Sequence, residues 1–365
     1  MSTLDDCWSS ADDVTPGRLT ERLRSGGVIA ADTSVASVTH EPIGFGTLAQ
    51  LWRLHVRYDP EGAGPRTIIL KLPHTSAEVR DLATRLRFYE REIGFYDNVA
   101  ASTPIGTASC YWSTFDPVTK DFVLLLEDIG ALDYHDQLAG IPIADVRVAA
   151  RAIAAHHAHC WEREELLGAS WTGTMDEPPM PQAGEQMLTE RIPILDDRLG
   201  SQLPPGTIAL AERIRDGIQP LLRAFTDQGP LTLLHGDLRA ENLFFTPAPD
   251  RELVAIDWQI AVIGRAAYDV GYLMAQSVTS EVRKVHERQV LQEYHAALVS
   301  HGATGYSLDD AWGDYRRTIL WSLVYAVGAI SDDLTDPGGL ARIRTITTRI
   351  MHAIADLDAT KMLIP

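Results

Sequence analysis

The stretch FVLLLEDIG, residues 122–130, divides this chain into two kinds of sequence. It is a nearly unbroken apolar run of strand length, the type that a sheet buries on both faces. Ahead of it, short segments with strand character are separated by turns. Behind it, most segments repeat their apolar residues at helical spacing. A chain of 365 residues is too long for one small core, and this switch places the division into two lobes near Gly130. The expected class is α+β, with a strand-rich lobe over residues 1–129 and a mainly helical lobe over 130–365.

Within the first lobe, TPGRLTERLRS (15–25) reads as a short helix followed by a loop to about residue 40. The segment SVTHEPIGFGTLAQLWRLHVRY (37–58) reads as a strand, a turn around Gly44 and Gly46, and a second strand. EGAGP (61–65) is a turn, and RTIILKLP (66–73) is a third strand. Thr75 and Glu78 fit a capping box, which predicts one helix carrying Val79, Leu82, Leu86, Tyr89, Ile93 and Tyr96 as a single apolar stripe. In the second lobe, residues 145–164 form an Ala-rich helix, DEPPMPQAGE (176–185) is a Pro-rich loop, and PLTLL and RELVAID are short strands.

Composition removes several function classes. The net charge of −18 opposes binding to nucleic acid or an anionic membrane. It fits a solvated acidic surface, or an acidic pocket for a cationic substrate; charge alone does not choose. Apolar runs such as WSLVYAVGAI (321–330) are far short of the roughly 20 residues of a membrane span. An acidic N-terminus without an apolar signal core, and three scattered cysteines (Cys7, Cys110, Cys160), predict a reduced, cytoplasmic protein.

The chemistry lies in LLHGDLRAENLFF (233–245) and in AIDWQ (255–259). Asp237, Asn242 and Asp257 are polar residues in segments otherwise built for burial, expected on two short strands joined by a tight connection. Two carboxylates and an amide oxygen suit a hard divalent cation such as Mg²⁺, which prefers oxygen ligands and shares them with phosphate. An Asp followed five residues later by an Asn, with a second Asp downstream, is the set used for phosphoryl transfer in kinases.

On these residues the chain resembles the aminoglycoside phosphotransferase and choline kinase superfamily, which has the protein-kinase-like fold. It is most similar there to the ecdysteroid-kinase-like phosphotransferases. The motif H-G-D-x-x-x-x-N stands as His235, Gly236, Asp237 and Asn242, and Ile256-Asp257-Trp258 takes the place of Asp-Phe-Gly. The resemblance implies ATP and Mg²⁺ as cofactors, Asp237 as catalytic base or hydroxyl orienter, and Asn242 and Asp257 as metal ligands. His235 would hold the loop, Asp269 would brace it, and Arg239 sits where some kinases place a Lys near the γ-phosphate. Lys71 on the third strand, oriented by Glu92 of the following helix, would grip the phosphates under the turn at Gly44 and Gly46. The backbone carbonyl of Glu127 and the N–H of Ile129 would read the nucleotide base, ATP or GTP.

His156, His157, His159 and Cys160 suggest a metal cluster, but their spacing favours packing instead. The acceptor is expected to be the hydroxyl of a small molecule: an amino sugar or aminoglycoside, a choline-like compound, or a bulky alcohol such as a steroid or macrolide. It would touch residues 160–230 and those beyond 270, where Trp161, Trp171, Trp312 and Trp321 lie. No protein, nucleic-acid or membrane partner is expected. Two other classes fit less well: a nucleotide-binding pseudokinase, which would lack one of these residues, and a protein kinase, which would need a longer segment between Asp257 and Asp269.

Overall fold

The computed structural model describes residues 7–44, 48–227, 229–331 and 333–363. Gly46, assigned above to the turn over the phosphates, lies outside them. The chain forms two compact units. The first comprises the described residues up to Thr103 with Thr107–Leu132, and the second comprises Pro104–Gly106 with the residues from Asp133 onward. The sequence expectation set the division at 129/130.

In the first unit, α1 (Pro16–Ser25) is capped by Thr15, whose hydroxyl accepts from the Arg18 N–H. The strands β1 (Ser34–Pro42), β2 (Ala49–Asp59) and β3 (Thr67–Pro73) follow. Next come α2 (Ala77–Arg85), α3 (Phe88–Asn98), β5 (Cys110–Phe115) and β6 (Phe122–Glu127), while the two-residue β4 (Gly106–Thr107) falls on the division and belongs to another sheet. Five of these strands make one sheet in the order β1-β2-β3-β6-β5. Alternation along β3 and β6 sorts their side chains to two faces. Leu70, Leu72, Val123 and Leu125 join Leu19 and Leu23 of α1 in one buried cluster. On the other face, Phe122 packs on Tyr89 of α3 with ring centroids 4.4 Å apart. Each fully buried aliphatic side chain contributes about 1.5–3 kcal/mol.

Two expectations for this unit are corrected. Strand β1 begins at Ser34, inside the segment read as loop. The single helix after β3 is two: Arg87 takes a left-handed conformation at φ 60 and separates α2 from α3. Ser76 precedes α2 without a side-chain cap, so the Thr75/Glu78 capping box does not form. One straight amphipathic helix can bury only a stripe, whereas α3 buries residues around its whole circumference from Phe88 to Tyr96. The break re-aims the second half to do so.

The second unit contains β7 (Asp133–Tyr134), α4 (Ile143–His159), α5 (Glu164–Leu167), α6 (Met180–Leu199), α7 (Thr207–Asp216) and α8 (Ile218–Arg223). Four short strands follow: β8 (Thr232–Leu234), β9 (Leu243–Phe245), β10 (Leu253–Ala255) and β11 (Val262–Gly264). The chain ends in α9 (Tyr268–Ser277), α10 (Ser280–Ser300), α11 (Leu308–Gly328) and α12 (Pro337–Asp356). The Pro-rich loop is shorter than expected, because Pro181 opens α6, where its fixed φ and missing N–H suit the first turn.

The catalytic segments also differ from expectation. β8 pairs with β11, and β10 pairs with β9. The strands preceding Asp237 and Asp257 therefore belong to two different antiparallel pairs and are not one joined pair. Among the described residues, no helix is long and apolar enough to cross a membrane.

Candidate active site

Asp237 follows β8 in a loop whose shape is fixed by backbone contacts. Gly236 has φ 83, and a Cβ there would lie 2.3 Å from the carbonyl oxygen of Ile260, so only glycine fits. The Asp269 carboxylate, wholly buried at the start of α9, accepts from the N–H of His235 at 2.8 Å and of Gly236 at 2.9 Å. Its Oδ2 also accepts from His157 Nε2 at 3.0 Å. The Tyr294 hydroxyl donates to the Ala266 carbonyl at 2.9 Å and lies 2.7 Å from His157 Nδ1. His156 Nε2 meets the Leu233 carbonyl at 3.1 Å, and burial, with His157 and His235 nearby, pushes its pKa well down. Ser277 Oγ accepts from the Ala240 N–H at 2.9 Å.

His235 joins the two motifs. Its Nδ1 accepts from the Asp237 N–H at 3.2 Å, so its Nε2 carries the proton and donates to the Ile256 carbonyl at 2.9 Å, next to Asp257. The Ile256 N–H donates to the Asn242 carbonyl at 3.0 Å. The structure thus brings Asp237, Asn242 and the backbone leading into Asp257 together. Asp257 is itself left-handed, with φ 68, a conformation Asp tolerates better than most residues.

The amide of Asn242 is oriented by its neighbours. Nδ2 donates to the Asp237 carbonyl at 2.9 Å and to Oδ2 at 3.0 Å, which turns Oδ1 away as an oxygen donor. Gln259 Nε2 donates to Asp257 Oδ2 at 3.1 Å. This set of an amide oxygen and a carboxylate fits Mg²⁺. Arg239 Nε pairs with Asp237 Oδ2 at 3.0 Å, and its Nη1 pairs with Glu241. Burial works against the charge of Arg239, but Asp237, Tyr272 and Glu241 outweigh it and hold the guanidinium firmly protonated. Tyr272 of α9 has its pKa raised well above the usual range by burial, with the Asp237 carboxylate beside it. Its ring lies 5.1 Å from that of Tyr325, which in turn contacts Trp321.

Lys71 and Glu92 lie in the first unit and are both buried. Lys71 Nζ is 2.8 Å from Oε1 and 2.7 Å from Oε2 of Glu92. Glu127 ends β6; its N–H donates to the Ser109 carbonyl and its carboxylate accepts from the Ser109 hydroxyl at 2.8 Å. Ile129 follows, half-buried, and its carbonyl accepts from the Leu132 N–H. Gly44 has φ 65 with open space around its Cβ position, as a turn requires.

Of the four tryptophans, Trp321 is deeply buried beside the tyrosines, while Trp312 stacks on Tyr315 and Trp161 donates to the Thr304 carbonyl. His156 and His157 are scaffold hydrogen-bonding groups rather than simple packing. Sequence reading overlooked Gln259, Ser277, Tyr272 and Gln137, none of which belongs to a motif. The one available signal was position: Gln259 is two residues after Asp257, and Tyr272 is three after Asp269.

Solved structures share this fold. A solved microcompartment-associated aminopropanol kinase matches 94% of this chain and 97% of its own, with a TM-score of 0.54 and 14% identity. The GDP and kanamycin complex of APH(2″)-IIIa matches 92% and 98%, with a TM-score of 0.51 and 14% identity. At such identities the likeness is one of fold, the protein-kinase-like fold. A stretch of 55 residues is 40% identical to the probable acyl-CoA dehydrogenase IBR3 of Arabidopsis thaliana; it is 15% of this chain and spans 7% of that protein. The sequence profile of the ecdysteroid kinase-like family matches residues 46–304, and the chain belongs to this family of small-molecule kinases.

Proposed function

We propose that the protein transfers the γ-phosphate of ATP to a hydroxyl group of a small molecule, with Mg²⁺ as its metal. The observation that carries this is the joint orientation of Asp237 and Asn242. The amide N–H₂ of Asn242 is spent on Asp237, which steadies the carboxylate and leaves the amide oxygen for a cation. Mg²⁺, when bound, neutralises charge on the β- and γ-phosphates. Asn242 and Asp257 would hold it.

The chain's own residues supply position and proton handling. Asp237 orients the acceptor hydroxyl and takes its proton as the oxygen attacks the γ-phosphorus. Lys71, held by Glu92, would steady the α- and β-phosphates. Glu127 and Ile129 would present backbone groups to the base, and the turn at Gly44 would cover the phosphates. The rate enhancement comes from positioning and charge stabilisation.

The test is γ-labelled ATP with Mg²⁺ against a mixed panel of aminoglycosides, choline, amino alcohols, macrolides, hydroxysteroids and hydroxy acids. Asp237→Asn is expected to lose about 10²- to 10⁴-fold in transfer. Comparable transfer by that variant would overturn the role of Asp237, and the failure of Mg-ATP to bind would overturn the kinase reading.

A further inference from the structure

Beside Asp237 a chain of amides runs in one direction only. Arg342 of α12 donates from Nη2 to Oε1 of Gln137 at 2.7 Å, and Arg239 Nη1 reaches the same oxygen at 3.5 Å. Arginine can only donate, so the orientation of the Gln137 amide is fixed. Its Nε2 then faces α9 and donates to the carbonyl and to Oε1 of Gln276, each at 3.4 Å. Gln276 therefore turns its oxygen to Gln137, and its own Nε2 has no partner among the described residues although the side chain is only 5% exposed. Gln276 lies one turn beyond Tyr272 on the same face of α9, the face whose tyrosine borders Asp237.

An orphaned buried donor is unfavourable and persists where a water or ligand oxygen completes it. The charges nearby point the same way. Glu241 has its two oxygens taken by Arg239 and Arg342. It is neutralised and offers nothing to a cationic acceptor. Arg342 uses Nη2 for both of its contacts, and its other guanidinium nitrogens have no partner among the described residues.

Resting on the phosphotransferase reading, we propose that the acceptor is a hydroxycarboxylate. Its carboxylate is read by the uncommitted N–H groups of Arg342 and by the Gln276 amide, and its hydroxyl is presented to Asp237. In the transfer, the hydroxyl oxygen bonds to the γ-phosphorus as the bond to the β–γ bridging oxygen breaks. The hydroxyl proton passes to Asp237, and ADP and a phosphate monoester leave. Arg342 and Gln276 are specificity residues, not catalytic ones.

The test compares straight-chain hydroxycarboxylates with their methyl esters and with amino alcohols of matched length, using labelled Mg-ATP and the full chain. The free acids are expected to be phosphorylated in preference to both other sets. Arg342→Ala is expected to raise KM for the acid by roughly 10- to 100-fold with little change in kcat, Arg342→Lys to recover part of it, and Gln276→Leu to raise KM by roughly 5- to 10-fold. Thermal stabilisation by Mg-ATP checks that each variant is folded. Preference for the amino alcohols or esters, or a KM indifferent to Arg342, overturns this inference and leaves the kinase reading standing. If no compound is phosphorylated, loss of hydroxycarboxylate stabilisation in Arg342→Ala supports the site, and equal or absent stabilisation overturns it. Loss of Mg-ATP binding in the wild type would instead remove the kinase reading itself.

Discussion

In the first unit the buried Lys71 is joined to the buried Glu92, side chain to side chain. In the second unit the catalytic loop hangs on Asp269, His157, His156, Ser277 and His235 through hydrogen bonds that mostly end on backbone atoms. The first arrangement positions a side chain through another side chain. The second fixes the backbone itself, so that Asp237 and Asn242 need little further ordering when a substrate arrives. Removing one partner of a buried ion pair leaves a single charge uncompensated, whereas removing the central carboxylate of a braced loop leaves several buried donors unpaired at once.

Asp269 is where the second arrangement should break most severely. Asp269→Ala strips two backbone N–H groups and the buried His157 of their acceptor at once. Loss of at least about 3–5 kcal/mol of unfolding free energy is expected in chemical denaturation, with transfer falling in whatever folded fraction remains. A loss near that of a surface substitution would show that the loop is not held this way.

Glu92→Gln perturbs the first unit less, because the amide oxygen still accepts from Lys71. About 1–3 kcal/mol of stability is expected to go, with a weaker grip on Mg-ATP in titration and a smaller fall in transfer than for Asp237→Asn. Unchanged nucleotide affinity would separate Lys71 from the phosphates.

Acid distinguishes the units by a smaller amount. His156 is fully buried with its folded pKa pushed well down, so the unfolded chain takes up a proton that the folded chain refuses. Its contribution is complete above the unfolded value of about 6.5 and is lost as the pH falls below it, at about 1.4 kcal/mol per unit. By contrast, His40, His55 and His74 of the first unit are half-buried or exposed. Denaturation monitored at pH 7.5 and 5.5 should therefore show a decline that His156→Gln flattens. An equal slope in that variant would assign the acid sensitivity elsewhere.

The sequence carried the class of the fold and the identity of the polar set because both depend on local order. Strand alternation placed Lys71 opposite Leu70, and the spacing of Asp237 and Asn242 survives in any loop that brings a base and an amide together. What it could not convey was set by distant contacts. The break at Arg87 has no Gly or Pro to announce it and follows from the burial of α3 on all sides. The strand pairs β8–β11 and β9–β10 are each three residues long, too short to leave a period. Gln137 and Arg342 are far apart in sequence and belong to no motif, so their meeting beside Asp237 exists only in three dimensions.

The division of labour between the two acidic residues is the claim to measure first. Titration of Mg-ATP into the wild type, Asp237→Asn and Asp257→Ala, followed by transfer assays on the same samples, separates hydroxyl chemistry from metal holding. Asp237→Asn is expected to bind Mg-ATP as the wild type does and to transfer almost nothing, and Asp257→Ala to lose both transfer and about tenfold or more in Mg-ATP affinity. Undiminished affinity in Asp257→Ala, or undiminished transfer in Asp237→Asn, would contradict the assignment.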